Sequence, residues 1–340
     1  MASRPEAVRP RLIVSKCLGF EACRYDGSIL SDRFIERLRE HVEFLQVCPE
    51  VGMGLGVPRE PVGLVGAVRA PRMIQTASGV DLTERMVSFS EGFLRGLPEI
   101  DGALMKSRSP SCGKGDVPVH GPHGSADRTR TGWGLFSAAV ARCHRDIPVE
   151  SEARLLDSGT REHFLARVFA SARFRAAAAS CRASRRKGPL VDFHSAMKLQ
   201  LMTMDREAER RLGRLVASSA PVHGLLEEYR AGLHEAMSRP PRTGATVDAL
   251  LHALGFFDGK PSEAGRAGFL ESVEGFRTGR LPLSACLSIL REWLARWRSD
   301  WLAAQFFLAP YPDGLSDLSD RDRGQASSAP AVRRVDRRSG

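Results

Sequence analysis

A chain of 340 residues with 42% hydrophobic and 26% charged residues is long enough for two ordinary domains and has the composition of a globular protein. It holds no run of about 18 apolar residues, which excludes a helical membrane span, and its polar, basic start from Met1 to Arg11 lacks the apolar core of a secretory leader. A net charge of +10, with arginine far in excess of lysine, fits a nucleic-acid partner and a GC-rich coding bias equally. The expected location is the cytoplasm, so the seven cysteines read as ligands, catalysts or core residues rather than as disulfides.

Residues 11 to about 150 alternate short apolar runs with helical patterns. Arg11 to Ser15 reads as a strand. From Asp32 to Phe44 the apolar positions Phe34, Ile35, Leu38 and Val42 have near-helical spacing, with Ser31 or Asp32 placed to cap the helix. Leu45 to Cys48 is the second strand and Val62 to Val65 a weak third. A helix opens near Ser78 to Thr83 and runs to about Leu97, with Thr83 as its expected cap; Gly102 to Lys106 is the next strand. Residues 114–131, rich in Gly, Pro and His, read as a loop or lid. Helix returns over Trp133 to Arg142, and Ile147 to Val149 is the last strand. This order predicts a parallel, Rossmann-like α/β domain over residues 11–152, with ligands at the C-terminal strand ends.

The remainder is almost wholly helical, predicting an all-α domain over 155–315 with helices near 160–180, 192–218, 222–238, 246–256, 262–277 and 282–308. Asp192 is placed as a helix start. Ala179 to Gly188 reads as a basic surface loop, and 316–340 as a disordered tail. Trp293, Trp297 and Trp301 form an i, i+4, i+8 stripe, read as core or a domain contact, and His194 and Lys198 share a helix face. Gly52, Gly54 and Gly56 resemble a phosphate loop, but Pro58 and Pro61 follow where a helix would have to begin, so no dinucleotide site is expected.

The chemistry concentrates in three thiols. Cys17, Cys48 and Cys112 each follow a strand-like run and precede a turn residue, the layout of a three-cysteine metal site. Cys23, six residues after Cys17, is the rival ligand, and Cys143, Cys181 and Cys286 lie in helical patterns as packing residues. His120 and His123 read as surface residues rather than a zinc pair.

Several ordered motifs carry a family resemblance. Ser15-Lys16-Cys17-Leu18-Gly19, Arg24-Tyr25-Asp26-Gly27, Cys48-Pro49-Glu50-Val51, Gly56-Val57-Pro58-Arg59 and Lys106 through Gly113 resemble the domain of unknown function 523, whose characterised branch is the iron–sulfur-dependent 2-thiouracil desulfidase. Asp192-Phe193-His194, Lys198, Leu212 through Val216 and Ala309 through Pro312 resemble the helical domain of unknown function 1722, with which no activity transfers.

The first resemblance implies a 4Fe-4S cluster on Cys17, Cys48 and Cys112, with Glu50 and Ser109 beside it assisting catalysis. Clusters normally take four thiolates, so three leave one iron an exchangeable position. Iron there suits sulfur and acts as a Lewis acid toward a thiocarbonyl, with Glu50 as base or acid and Ser109 as hydrogen-bond donor. A fourth thiolate from Cys23 would close that position. Arg24, Arg59 and Lys106 are the expected contacts to an anionic part of a small thiolated substrate, with a salt-bridged rim as the alternative. A thiolated tRNA, presented by the helical half, is a further expected partner. An iron–sulfur redox sensor associated with nucleic acid is the competing function, in which no desulfuration occurs.

Overall fold

The structure, a computed structural model, describes residues 8–121 and 130–315. Four short strands, β1 (Arg11–Ser15), β2 (Glu43–Val47), β5 (Gly102–Met105) and β8 (Val149–Ser151), form an all-parallel sheet in the order β2-β1-β5-β8. Ile13 sits at the centre of its register, opposite Leu45 on one side and Ala103 on the other. Strand side chains alternate between faces. Leu12, Val14 and Leu104 therefore enter one core, while Ile13, Ala103 and Met105 enter another. Both faces of the sheet are buried, as a parallel sheet requires.

The first face is covered by α1 (Arg33–Leu38) and by the first half of α5 (Ser158–Ser184), through Phe34, Ile35, Phe164, Leu165, Val168 and Phe169. The second face packs on α3 (Thr83–Arg95), α4 (Leu135–Cys143) and a second sheet. That sheet has the order β4-β3-β6-β7, from β3 (Val62–Ala67), β4 (Ala70–Gln75), β6 (Val117–His120) and β7 (Arg130–Gly132). β3 pairs antiparallel with β4 and parallel with β6, and β6 pairs antiparallel with β7.

The second sheet corrects one expectation. Residues 122–129 lie outside the described residues, and the described parts of 114–131, expected as a loop or lid, supply β6 and the start of β7. Pro118 and the three- and four-residue strand lengths hid them, since proline lacks the ladder donor. The third strand expected at Val62 to Val65 is present and runs on to Ala67, paired in a hairpin with β4, which was not expected. The helix expected over Asp32 to Phe44 ends at Leu38, and Glu43 already pairs with Arg11. Asp32 does cap α1, accepting from the Phe34 and Ile35 amides at 2.9 and 3.0 Å. Thr83 does not cap α3; it is the first helical residue, and Asp81 accepts from its amide at 2.9 Å.

The helical region is built around α6 (Gly188–Met204). One side of α6 (Leu190, Phe193, Met197, Leu201) packs with the second half of α5, α7 (Arg206–Ala217) and α8 (Val222–Ala236). The other side (Leu199, Met202) packs with α9 (Thr243–Gly255), α10 (Glu263–Arg277) and α11 (Leu283–Arg296). A helix apolar all round is a central helix.

Four expectations fail here. The 192–218 helix is two, because Asp205 is extended and caps α7 by accepting from the Glu207 and Ala208 amides. Asp192 is not a start but an exposed residue inside α6. Ala179 to Ser184 is the last stretch of α5, with Cys181 fully buried, rather than loop. The 282–308 helix breaks after Arg296, and Ser299 caps the short α12 (Asp300–Ala303). Trp293, Trp297 and Trp301 still meet in the α9–α11 core, from separate elements. Cys286 is buried as expected, whereas Cys143 is exposed at the end of α4 and does not pack. His123 and the tail 316–340 lie outside the described residues.

The two regions are joined by packing and by charge. Asp101, 1% exposed, accepts from the Arg11 amide at 2.8 Å and from Ser171 at 3.2 Å, and pairs with Arg175 at 2.8 Å. No helix is long and apolar enough to cross a membrane among the described residues.

Candidate functional site

Parallel strands end on the same side, so the loops after β1, β2 and β5 must gather at one edge of the sheet. These are the loops that carry Cys17, Cys48 and Lys106 through Cys112. A cavity of about 470 Å³ opens there, and its wall includes Cys17, Cys23, Cys48, Cys112, Glu50 and Ser109. Arg24, Arg59 and Lys106 line it too. All eight predicted site residues, with Cys23, thus share one cavity. Its lining lies wholly within residues 15–112, and the helical region supplies none of it.

Each thiol is placed by local structure. Cys17 sits in the turn leaving β1, its carbonyl accepting from the Leu30 amide at 2.9 Å. Cys48 is the residue before α2 (Pro49–Gly52), where proline in the first turn suits a helix start. Gly52 lets α2 lie on α3, since a Cβ there would stand 2.3 Å from the Phe89 ring. Cys112 lies in a tight turn against the start of α4. There Gly134 is required, because its Cβ would fall 2.5 Å from the Ser111 carbonyl. Burial pushes the free Cys17 thiol up to about 11 and Cys23 up to about 12, and raises Cys112 as well, opposed in part by a hydrogen bond from Ser15. Among the described residues, no three His, Cys, Asp or Glu side chains group closely enough to hold a single metal ion.

Glu50 is buried and held at both oxygens. Oε2 receives Arg59 Nε and Nη2, each at 2.8 Å, and Oε1 accepts from Ser111 Oγ at 2.7 Å. Arg59 also donates to the Cys23 carbonyl at 3.0 Å. Lys106 is similarly committed: Nζ pairs with Glu152 at 2.5 Å, and Glu152 also receives the Ser107 amide and hydroxyl. The salt-bridged alternative therefore describes both Arg59 and Lys106. Arg24 differs, having no carboxylate pair among the described residues; it lies 5.7 Å from the Tyr25 ring in a turn where Gly27 has φ 75°. Ser109 Oγ accepts from the Ser111 and Cys112 amides at 3.3 and 3.2 Å, which shapes the turn. Its hydroxyl proton is not used in those bonds.

Sequence reasoning missed Ser15, Ser111 and Glu152. Ser15 ties the strand ends together, accepting from the Lys106 amide at 2.9 Å while donating to Met105 Sδ at 3.9 Å. Nothing local marks a serine for such a role; the pairing of β1 with β5 brings residues 91 positions apart into contact. In the helical half, His194 Nδ1 meets Tyr229 Oη at 3.0 Å, a packing role, and Lys198 is exposed.

The 2-thiouracil desulfurase family matches the chain over residues 12–152. The Uncharacterized protein YbbK of Bacillus subtilis (strain 168) is 35% identical to it over 113 residues, which are 31% of this chain and 75% of YbbK. The chain belongs to the 2-thiouracil desulfurase family. Residues 198–312 match a second family, described as protein of unknown function (DUF1722). The Uncharacterized protein YbgA of Escherichia coli (strain K12) is 26% identical over 129 residues, 37% of this chain and 76% of YbgA. A solved [4Fe-4S]-dependent thiouracil desulfidase, TudS, shares 32% identity, covering 43% of this chain and 93% of its own, with a TM-score of 0.35. The boundaries of the 2-thiouracil desulfurase match coincide with the two-sheet region that carries the cavity.

Proposed function

We propose that this chain removes sulfur from a small thiocarbonyl compound of the thiouracil kind, yielding the carbonyl product and sulfide, with a 4Fe-4S cluster on Cys17, Cys48 and Cys112. The observation that carries the reading is the single cavity in which those thiols meet a buried, ion-paired carboxylate. The donor set fits the group. Thiolates are the ordinary ligands of iron–sulfur clusters, and a cluster takes them on different irons, so its ligands surround a volume instead of converging on a point. Three loops at one sheet edge supply that arrangement. When bound, the cluster would supply an iron with an exchangeable position, able to bind sulfur and polarise a C=S bond.

The chain's own residues account for the remaining chemistry. Glu50 lines the cavity and, with Arg59 on one oxygen and Ser111 on the other, has a fixed orientation and one spare lone pair, on Oε1. It accepts a proton from the water that attacks the thiocarbonyl carbon. Ser109 donates its hydroxyl proton to the substrate or to the departing sulfur. Arg24, a cavity cation with no carboxylate ion pair among the described residues, is the proposed contact for an anionic part of the substrate. Lys106 and Arg59 act through Glu152 and Glu50 instead. The change is a hydrolysis and needs no net oxidation.

The test is anaerobic purification of the full chain, with iron and sulfide measured against protein, the visible spectrum recorded, and 2- and 4-thiouracil and a 4-thiouridine-containing tRNA offered as substrates. Iron-loaded protein that releases sulfide from one of them supports the reading. A cluster without desulfuration, together with steeply salt-dependent nucleic-acid binding, would favour the sensor instead. A protein that reconstitutes no iron overturns both. If tRNA is the substrate, its desulfuration should need the helical region, which lies outside the cavity lining.

A further inference from the structure

The proposed desulfuration leaves one cavity thiol unused. Cys23 is 1% exposed and lines the same cavity as the three ligand cysteines. It lies in a stretch without regular structure, between the turn leaving β1 and the turn at Gly27. Its carbonyl accepts from Cys48 Sγ at 3.6 Å, which sets the two cysteines beside each other in the cavity wall. Cys48 is half-buried and therefore the thiol of the pair that an entering oxidant meets first. A disulfide joins neighbouring cysteines whose β carbons stand about 3.8 Å apart. Cys112, by contrast, is fixed in a tight turn, its amide held by Ser109 Oγ at 3.2 Å.

We propose that in the iron-free chain Cys48 and Cys23 form a reversible disulfide, which shields the cavity thiols until a reductant reopens them. With a small disulfide such as glutathione disulfide as oxidant, the Cys48 thiolate attacks one sulfur, breaks the S–S bond and releases one glutathione. Cys23 then gives up its proton and attacks the Cys48 sulfur of the mixed disulfide, releasing the second glutathione. Two protein thiols lose two electrons and two protons, and the oxidant becomes two thiols. Transient redox disulfides of this kind are the ones compatible with a reducing compartment. The role in cluster assembly rests on the reading of Cys48 as a ligand; the disulfide itself does not.

The test uses the full-length, iron-free chain treated with glutathione disulfide, alkylated, digested and mapped by mass spectrometry. Loss of two of the seven free thiols is expected, with the Cys23 and Cys48 peptides linked, and dithiothreitol should restore both. Cys23→Ser should instead trap one glutathione on Cys48, and Cys48→Ser should lose no thiol pair. A Cys17–Cys48 link, or no loss of thiols, would overturn the inference. The same treatment of the iron-loaded chain decides the ligand reading separately: protection supports it, and equal oxidation with iron retained removes Cys48 from the ligand set without touching the disulfide.

Discussion

The two regions of this molecule bury themselves by different rules, and the difference explains where chemistry is possible. In the α/β region, two sheets and their helices leave the C-terminal strand edge uncovered, and polar loops there enclose a cavity. In the helical region, α6 is packed on both sides, and its polar groups are drawn into structure: His194 onto Tyr229, Gln305 onto the Ser195 carbonyl and Leu199 amide. One region spends its unusual residues on an open edge; the other uses them to close a core.

The largest effect that separates the regions is on cluster binding. Replacing Cys17, Cys48 or Cys112 by Ala should abolish iron content and visible absorbance, whereas Cys143→Ala and Cys286→Ala should leave both unchanged. If a helical-region cysteine proved necessary for iron, the division of labour would be wrong. Next, Glu50→Gln should lower the desulfuration rate about 10²- to 10⁴-fold while iron content stays intact, since it removes the proposed proton acceptor and not a proposed ligand. Iron analysis beside single-turnover assays separates these two outcomes.

A third substitution probes the junction. Asp101→Ala removes the buried acceptor that holds Arg175 and Ser171 of α5 against the sheet, and should cost about 3 kcal/mol in urea unfolding. Both regions should lose stability together, because α5 belongs to two cores, one beneath the sheet and one among the helices. Two separate unfolding transitions would show that the regions are independent.

The smallest effect lies in the helical region alone. His234 is 6% exposed, and burial lowers its pKa to about 3, with Arg230 and Arg167 adding repulsion. An unfolded histidine titrates near 6.5. Between those values the unfolded chain binds a proton that the native chain refuses, so stability rises with pH and is complete above about 6.5. Acidifying from pH 6.5 to 5.5 should therefore cost about 1 kcal/mol in urea unfolding, and His234→Gln should flatten that slope. An unchanged slope would assign the pH dependence elsewhere.

Much of this was legible in the sequence because it depends on local pattern. Strands β1, β2 and β5 announced themselves by apolar runs, Asp32 by its place before an apolar helix, and the three thiols by their position at strand ends. What escaped depended on partners. Nothing in Val117 to His120 or Arg130 to Gly132 signals a strand until β3 offers an edge. The breaks at Asp205 and Ser299 are caps, visible only when the helices beyond them turn to pack.

By itself the sequence determined the region of the cavity, the residue types that line it, and the parallel order that puts three loops at one edge. Only the tertiary structure decided how those residues are used. For Arg59 and Lys106 it chose the salt-bridged alternative, as partners of Glu50 and Glu152, because an enclosed charge must be paired. Cys23 entered the cavity wall, and Ser15 and Ser111 became its internal supports. Local pattern follows from backbone periodicity, which a sequence displays; pairing follows from burial, which exists only once distant segments meet.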